Sequence, residues 1–239
     1  QITRDVRGLL RPGIDLVEAE VRAIDVKARQ VETPDRSLGF DYLVIALGAE
    51  LAPDIIPGLA EAAHSFYTLD GAARLRRALD AFTGGTLALV VSALPYKCPG
   101  APHEGAMLLA DFFRRRGRRD SVEIHLFTPE SQPMPVAGPG LGDAVRRMLE
   151  DRGVRFHPLH KLTAVEPDGR QVHFEGKPPV GYDLLVAVPP HRAPALVRNA
   201  GLTNEAGWIP VDPRTLATRH ERVYALGDVP AIPIPGRWK

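Results

Sequence analysis

A single cysteine in 239 residues, Cys98, excludes an internal disulfide framework. Charge of one sign is also missing: 30 Lys and Arg against 29 Asp and Glu leave a net charge of +1, so no global field draws the chain to nucleic acid or an anionic membrane. Long apolar runs are absent too. The longest uncharged stretches, such as residues 86–96, fall well short of the roughly 18 residues a spanning helix needs. The amino terminus, QITRDVRGLL, has no initiator Met, basic n-region or apolar h-region of a signal peptide and reads as an internal start. What remains, 44% hydrophobic and 25% charged residues, is the composition of a globular α/β protein with no disorder signature.

Residues 20–50 and 164–191 repeat one order: strands separated by polar turns, an aromatic-Asp pair, then an apolar run, YLVIALG in the first and LLVAVPP in the second. Such runs predict buried parallel strands reached from a small β-meander. Between them, TLALVV, HEGAMLLADFFRRRG, VEIHLF, GLGDAVRRMLEDRG and VRFHPL alternate strand and helix. That pitch predicts a parallel sheet with right-handed crossovers. VYALGD, residues 223–228, predicts one more short buried strand.

The basic run Arg114–Arg119 has neither aromatic interleaving nor a second patch, so no nucleic-acid partner is expected. Arg114 to Arg116 suit a helix C-terminus, with Gly117 as its cap. Of eight histidines only His157 and His160 stand three apart, without Cys or Glu at ligand spacing, so no metal is expected. A G-x-S-x-G elbow is absent, which argues against acyl transfer.

FDYLVIALGAEL (40–51), YDLLVAVPPHRAP (182–194) and VYALGDV (223–229) together resemble the FAD-dependent pyridine nucleotide-disulfide oxidoreductases. PYKCPGAPHEGAMLL is most similar to their sulfide:quinone oxidoreductase and flavocytochrome c sulfide dehydrogenase branch. The resemblance implies an α/β fold of two Rossmann-like units. An FAD-binding domain (1–70 and 203–239) would be interrupted by an inserted NAD-type domain (71–202). It also implies FAD as cofactor, with Gly227 and Asp228 closing on the ribityl chain, Ala46 and Gly48 near the isoalloxazine and pyrophosphate, Val21 by the adenine and His191 at a contact to the flavin.

Neither unit opens with the G-x-G-x-x-G turn that lets pyrophosphate approach a helix N-terminus. The first lacks its opening strand, turn and helix, and the chain stops in a proline-rich loop, so the FAD domain is expected to be incomplete and this stretch alone is expected to hold FAD poorly and to be inactive. In the second, SALPYKCPGAP stands where the glycines belong, so NAD(P) binding is expected to be lost. GPGLGD, residues 138–143, lies too far beyond its strand to serve and reads as a plain helix entry.

The resemblance therefore implies two-electron oxidation of sulfide or a small thiol at Cys98, with Lys97 as electrostatic helper and Glu104 as proton acceptor. Electrons would pass through FAD to a quinone or a cytochrome. A helix beginning near Pro102 would set Cys98 just before its positive end, a setting that favours a thiolate; an apolar core filler is the alternative for a lone thiol. Homodimerisation, and a cytoplasmic location with peripheral membrane attachment of a full-length parent, are further expectations. An NAD(P)H-dependent flavin reductase of the type II NADH dehydrogenase kind, and a non-catalytic module that has lost its cofactor, are the rival readings.

Overall fold

The computed structural model describes residues 3–232; the closing proline-rich stretch from 233 onward lies outside them. The chain begins with an antiparallel meander, β1 (Ala23–Asp25), β2 (Gln30–Glu32) and β3 (Ser37–Gly39), and then β4 (Leu43–Ile45). Asp25 makes the first turn by accepting from the amides of Lys27 and Ala28. Next come β5 (Glu50–Leu51), the single turn α1 (Leu59–Ala62) and α2 (Leu69–Ala81), whose N-cap Thr68 accepts from the Gly71 amide at 3.0 Å.

The central run is β6 (Gly85–Val91), α3 (Ala101–Arg115), β7 (Val122–Phe127), α4 (Pro139–Glu150) and β8 (Val154–His157). A second meander follows, β9 (Leu162–Glu166), β10 (Gln171–Phe174) and β11 (Val180–Gly181), leading into β12 (Leu184–Val188) and β13 (His191–Arg192). The described chain ends with α5 (Ala195–Asn199), β14 (Ile209–Pro210), β15 (Val223–Ala225) and β16 (Pro230–Ala231).

These elements form two compact units, one of residues 3–47 and 194–231, the other of 48–193. Both divisions fall earlier in the chain than the expected positions after 70 and 202. Packing explains the first: Ile56 and Leu59 join the core of the second unit, and His64 bonds along the edge of β12 through Leu185 and Ala187.

In the first unit β4 and β15 run parallel, Leu43 opposite Val223 and Ile45 opposite Ala225, and the Leu226 amide extends the ladder to the Ile45 carbonyl at 2.9 Å. Beyond their carboxyl ends lie Ala46 on one strand and Gly227 and Asp228 on the other.

The second unit holds an all-parallel sheet in the order β12-β6-β7-β8. Alternation sends Leu87 and Leu89 of β6 to the helical face, with Phe113 and Leu149, and Ala88 and Val90 to the meander face, with Val172 and Phe174. Both faces are covered, which is why β6 and β12 read as near-continuous apolar runs. From β6 the chain moves through α3 to β7 and β8 on one side and returns as β12 on the other. The carboxyl ends of β6 and β12 therefore form the topological switch point, where open α/β sheets take their ligands.

Fully buried Phe113 of α3 carries much of the helical-face core. Phe113→Ala is expected to lower stability by about 3–5 kcal/mol, read as a fall in the urea midpoint with little change in slope. The basic run beyond it is occupied in holding helix ends: Arg119 donates to the carbonyls of Arg152 and Gly153 after α4, Arg116 pairs with Asp80, and Arg114 and Arg115 pair with Asp111. Gly117, at φ +65°, closes α3 as a left-handed cap. α4 starts at Pro139 with the GPGLGD stretch as an ordinary helix entry.

Candidate functional site

The loop from Ser92 to Gly100 leaves β6 at the switch point and delivers Cys98 to the surface. Cys98 holds a left-handed backbone, φ +58°, and its carbonyl accepts from the Ala101 amide at 2.9 Å as α3 begins. Pro102 occupies the first turn of that helix, where a missing N–H goes unnoticed. The thiol is thus exposed, not packed as core filler.

Three polar side chains pin this loop from beneath. Buried His103 donates from Nδ1 to the Pro99 carbonyl at 3.1 Å, while no described group pairs with its Nε2. Burial lowers its pKa to about 4, against a smaller opposing effect of the Pro99 bond, so the ring is neutral at pH 7. Buried Tyr96 donates to Glu130 Oε2 at 3.0 Å, and Thr128 donates to the same oxygen at 3.1 Å. Burial pushes the Glu130 carboxyl above its usual range, with both hydrogen bonds pulling the other way.

The third anchor, Tyr67, donates its hydroxyl to the Lys97 carbonyl at 3.0 Å. Its ring carries the Lys97 ammonium 6.0 Å from the centroid and meets the His191 ring edge-on at 5.4 Å. His191, buried just beyond β12, donates from Nδ1 to the Pro189 carbonyl at 2.9 Å. The Lys97–Cys98 pair and His191, far apart in the chain, are thus gathered at one switch point through Tyr67. Sequence reasoning missed Tyr67, because 30 residues separate it from its partner and only the fold joins them.

Glu104 stands exposed on the first turn of α3. It lines a groove of about 470 Å³ between α2 and α3, whose walls are apolar side chains including Phe66, Leu75, Leu108 and Phe112. No hydrogen bond or ion pair joins it to Cys98 among the described residues. In the first unit, Val21 sits half-buried two residues before β1, and Ala46, Gly227 and Asp228 share the carboxyl ends of β4 and β15. Gly227 at φ +81° and Gly48 at φ +68° both need glycine's freedom, and nothing fills the space where a Cβ would stand.

His157 and His160 do meet, edge to face at 5.6 Å, and a third ring the sequence did not suggest, His125, stacks on His157 with Nδ1 3.0 Å from Nε2. Burial first, then His125, His160 and Arg155, lower the His157 pKa to about 4. Among the described residues no cluster of His, Cys, Asp or Glu is arranged to hold a metal.

A parallel sheet that reverses order beside its first strand, with a meander feeding its last, is the dinucleotide-binding class of α/β fold. Within that class the chain belongs to the pyridine nucleotide-disulphide oxidoreductase family, whose model matches residues 2–239. It is similar to the mitochondrial sulfide:quinone oxidoreductases of Mus musculus (27% identical over 243 residues, 96% of this chain and 54% of that protein) and Dictyostelium discoideum (28% over 242 residues, 96% and 53%). Among solved structures, the sulfide:quinone oxidoreductase of Aquifex aeolicus shares the fold with a TM-score of 0.79 at 24% identity, covering 91% of this chain and 53% of that one. The chain spans about half the length of the curated relatives it matches.

Proposed function

We propose that the chain forms the core of a flavin-dependent oxidoreductase that withdraws two electrons from sulfide or a related small thiol, with Cys98 as the thiol that holds the sulfur. The observation that carries this reading is Cys98 itself, an exposed thiol in left-handed backbone at the switch point of a parallel sheet. Such backbone costs a non-glycine residue roughly 1–2 kcal/mol, and residues held this way cluster where the strain serves a site. Lys97 places a cation next in sequence, which draws an anionic hydrosulfide toward the thiol. Glu104, exposed on the first turn of α3, is the carboxylate offered to the released proton.

FAD is the cofactor, and the residues present fit it. The paired carboxyl ends of β4 and β15 offer Gly227, with open space beside its Cα, and then Asp228, whose carboxylate would accept a hydrogen bond from a ribityl hydroxyl. Ala46, Gly48, Val21 and His191 complete the proposed cofactor set. When bound, FAD would supply a two-electron acceptor. The names of the mouse and Dictyostelium relatives support a quinone as final acceptor. No helix among the described residues is long and apolar enough to cross a membrane. Peripheral attachment of the full-length parent is the proposed way of meeting a membrane quinone.

The experiment is sulfide-dependent quinone reduction by the FAD-loaded full-length parent, run beside calorimetric titration with NADH and NADPH. Activity with sulfide is expected, without saturable heat from either nucleotide. Pro95, Pro99 and Pro102 occupy the turn whose glycines and amides would cradle a pyrophosphate, and proline removes both the room and the donors. Saturable binding at micromolar NADH with flavin reduction would favour the NADH-dependent reading instead.

A further inference from the structure

We propose that Tyr67 is the positioning residue of the Cys98 loop, anchoring the peptide that precedes the thiol and holding the Lys97 charge in place. This rests on the reading of Cys98 as the sulfur-holding thiol. The hydroxyl bond to the Lys97 carbonyl, at 3.0 Å, fixes the peptide plane joining Lys97 to Cys98. That plane sets the φ of Cys98, +58°, a conformation the residue does not keep unaided. His103 and Tyr96 grip the loop further on, at Pro99 and through Glu130. Of the three anchors Tyr67 alone bonds to the residue preceding the thiol.

Its ring does a second job. The Lys97 ammonium lies 6.0 Å from the ring centroid, within the range of a cation–π contact, so the flexible lysine is held on the loop. His191 and Phe66, with ring centroids each 5.4 Å from that of Tyr67, brace the ring. Burial, and then the neighbouring Cys98, push the phenol further above its ordinary range, which keeps the hydroxyl a donor. Tyr67 acts on the thiol through the Lys97 peptide and the Lys97 charge.

The test separates the two jobs by reagent charge. Cys98 of the folded chain is modified with a neutral dipyridyl disulfide and with dianionic dithiobis(nitrobenzoate), and the release of each leaving thiol is followed by absorbance. Tyr67→Phe keeps the ring and loses the hydroxyl. It should slow both reagents about tenfold, the factor that follows from releasing a residue held in left-handed backbone, with their ratio and the thermal midpoint unchanged. Tyr67→Ala should lose, in addition, the preference for the dianion, and Lys97→Gln should lose that preference with Tyr67 intact, which serves if the alanine variant folds poorly. A merely structural tyrosine would not move charge selectivity. Wild-type rates in Tyr67→Phe, or an intact dianion preference in Lys97→Gln, would overturn the proposal. Sulfide oxidation by FAD-loaded Cys98→Ser at the wild-type rate would instead sink the sulfur reading, while the modification rates would still decide the role of Tyr67.

Discussion

Cys98→Ser should lower sulfide-dependent flavin reduction by about a thousandfold or more, the scale of loss when a nucleophile is removed from a working set, while leaving the fold intact. Serine is the informative replacement because its hydroxyl neither ionises near neutral pH nor forms a sulfur–sulfur bond. Stability should hardly change, since Cys98 is exposed and its carbonyl, not its side chain, bonds to the start of α3. Rapid-mixing absorbance of the FAD-loaded protein gives the rate, and urea unfolding gives the control. A Cys98→Ser protein reduced by sulfide as fast as wild type would remove the thiol from the chemistry.

The second large effect concerns acid. His103 is buried with its Nε2 unpaired among the described residues, and burial lowers its pKa from 6.5 to about 4. The unfolded chain therefore binds more protons than the folded one between those values, and stability must fall as pH falls through that window. For this one group the loss from pH 6.5 to pH 4 is roughly 3 kcal/mol, from the size of the shift. Glu130 works in the opposite sense, because a carboxyl raised by burial is relieved when it takes up a proton. The measurement is accordingly a difference. Wild type should lose roughly 3 kcal/mol more than His103→Phe across the window, by urea unfolding at several pH values. At neutral pH the variant should be the weaker by about 1 kcal/mol for the lost bond to the Pro99 carbonyl. Parallel pH profiles for the two proteins would show that His103 is not the buried neutral ring described here. Acid should loosen the Cys98 loop first, since protonated His103 still donates from Nδ1 but leaves an unpaired charge beside Phe156, whose ring centroid is 6.2 Å away.

Much of this architecture is legible in the chain. TLALVV and LLVAV announce buried parallel strands because nothing charged interrupts them, and they stand in β6 and β12, while VEIHLF, whose Glu123 and His125 alternate with apolar residues, stands as β7. HEGAMLLADFFRR falls within α3, and the Arg-Gly that follows closes the helix as the residue types suggest. The two meanders show as polar turns between short apolar stretches, though each holds one more strand, β3 or β11, than the pattern displays; those strands are only three and two residues long. α2 is hidden because arginines crowd its sequence and only Gly71, Leu75 and Leu79 are buried.

The site is less legible than the fold, for a physical reason. Cys98 is conspicuous as the lone thiol in a proline-rich turn, yet its left-handed backbone has no sequence signature, since only glycine advertises that conformation. Tyr67 and His191 become neighbours only because β6 and β12 are paired in the sheet. Glu130 sits on a different strand end from the Tyr96 whose hydrogen bond it accepts, and a glutamate in TPES reads as surface until the fold buries it. His125 and His157 face each other because β7 and β8 run in parallel register, His125 opposite Arg155 and Phe127 opposite His157.

The most direct measurement is the mass of Cys98 after the folded chain meets polysulfide. The Cys98 thiolate attacks a terminal polysulfide sulfur, one sulfur–sulfur bond forms as another breaks, a shortened polysulfide leaves, and the thiol proton passes to solvent, so no further oxidant is needed. Peptide mass analysis under non-reducing conditions should find the peptide containing Cys98 heavier by one sulfur atom. The gain should be reversed by a reducing thiol, and absent when Cys98 is alkylated first or replaced by serine. A Cys98 that stays unmodified in the folded chain, and gains sulfur only after unfolding in urea, would contradict the assignment of this loop as a sulfur-binding site.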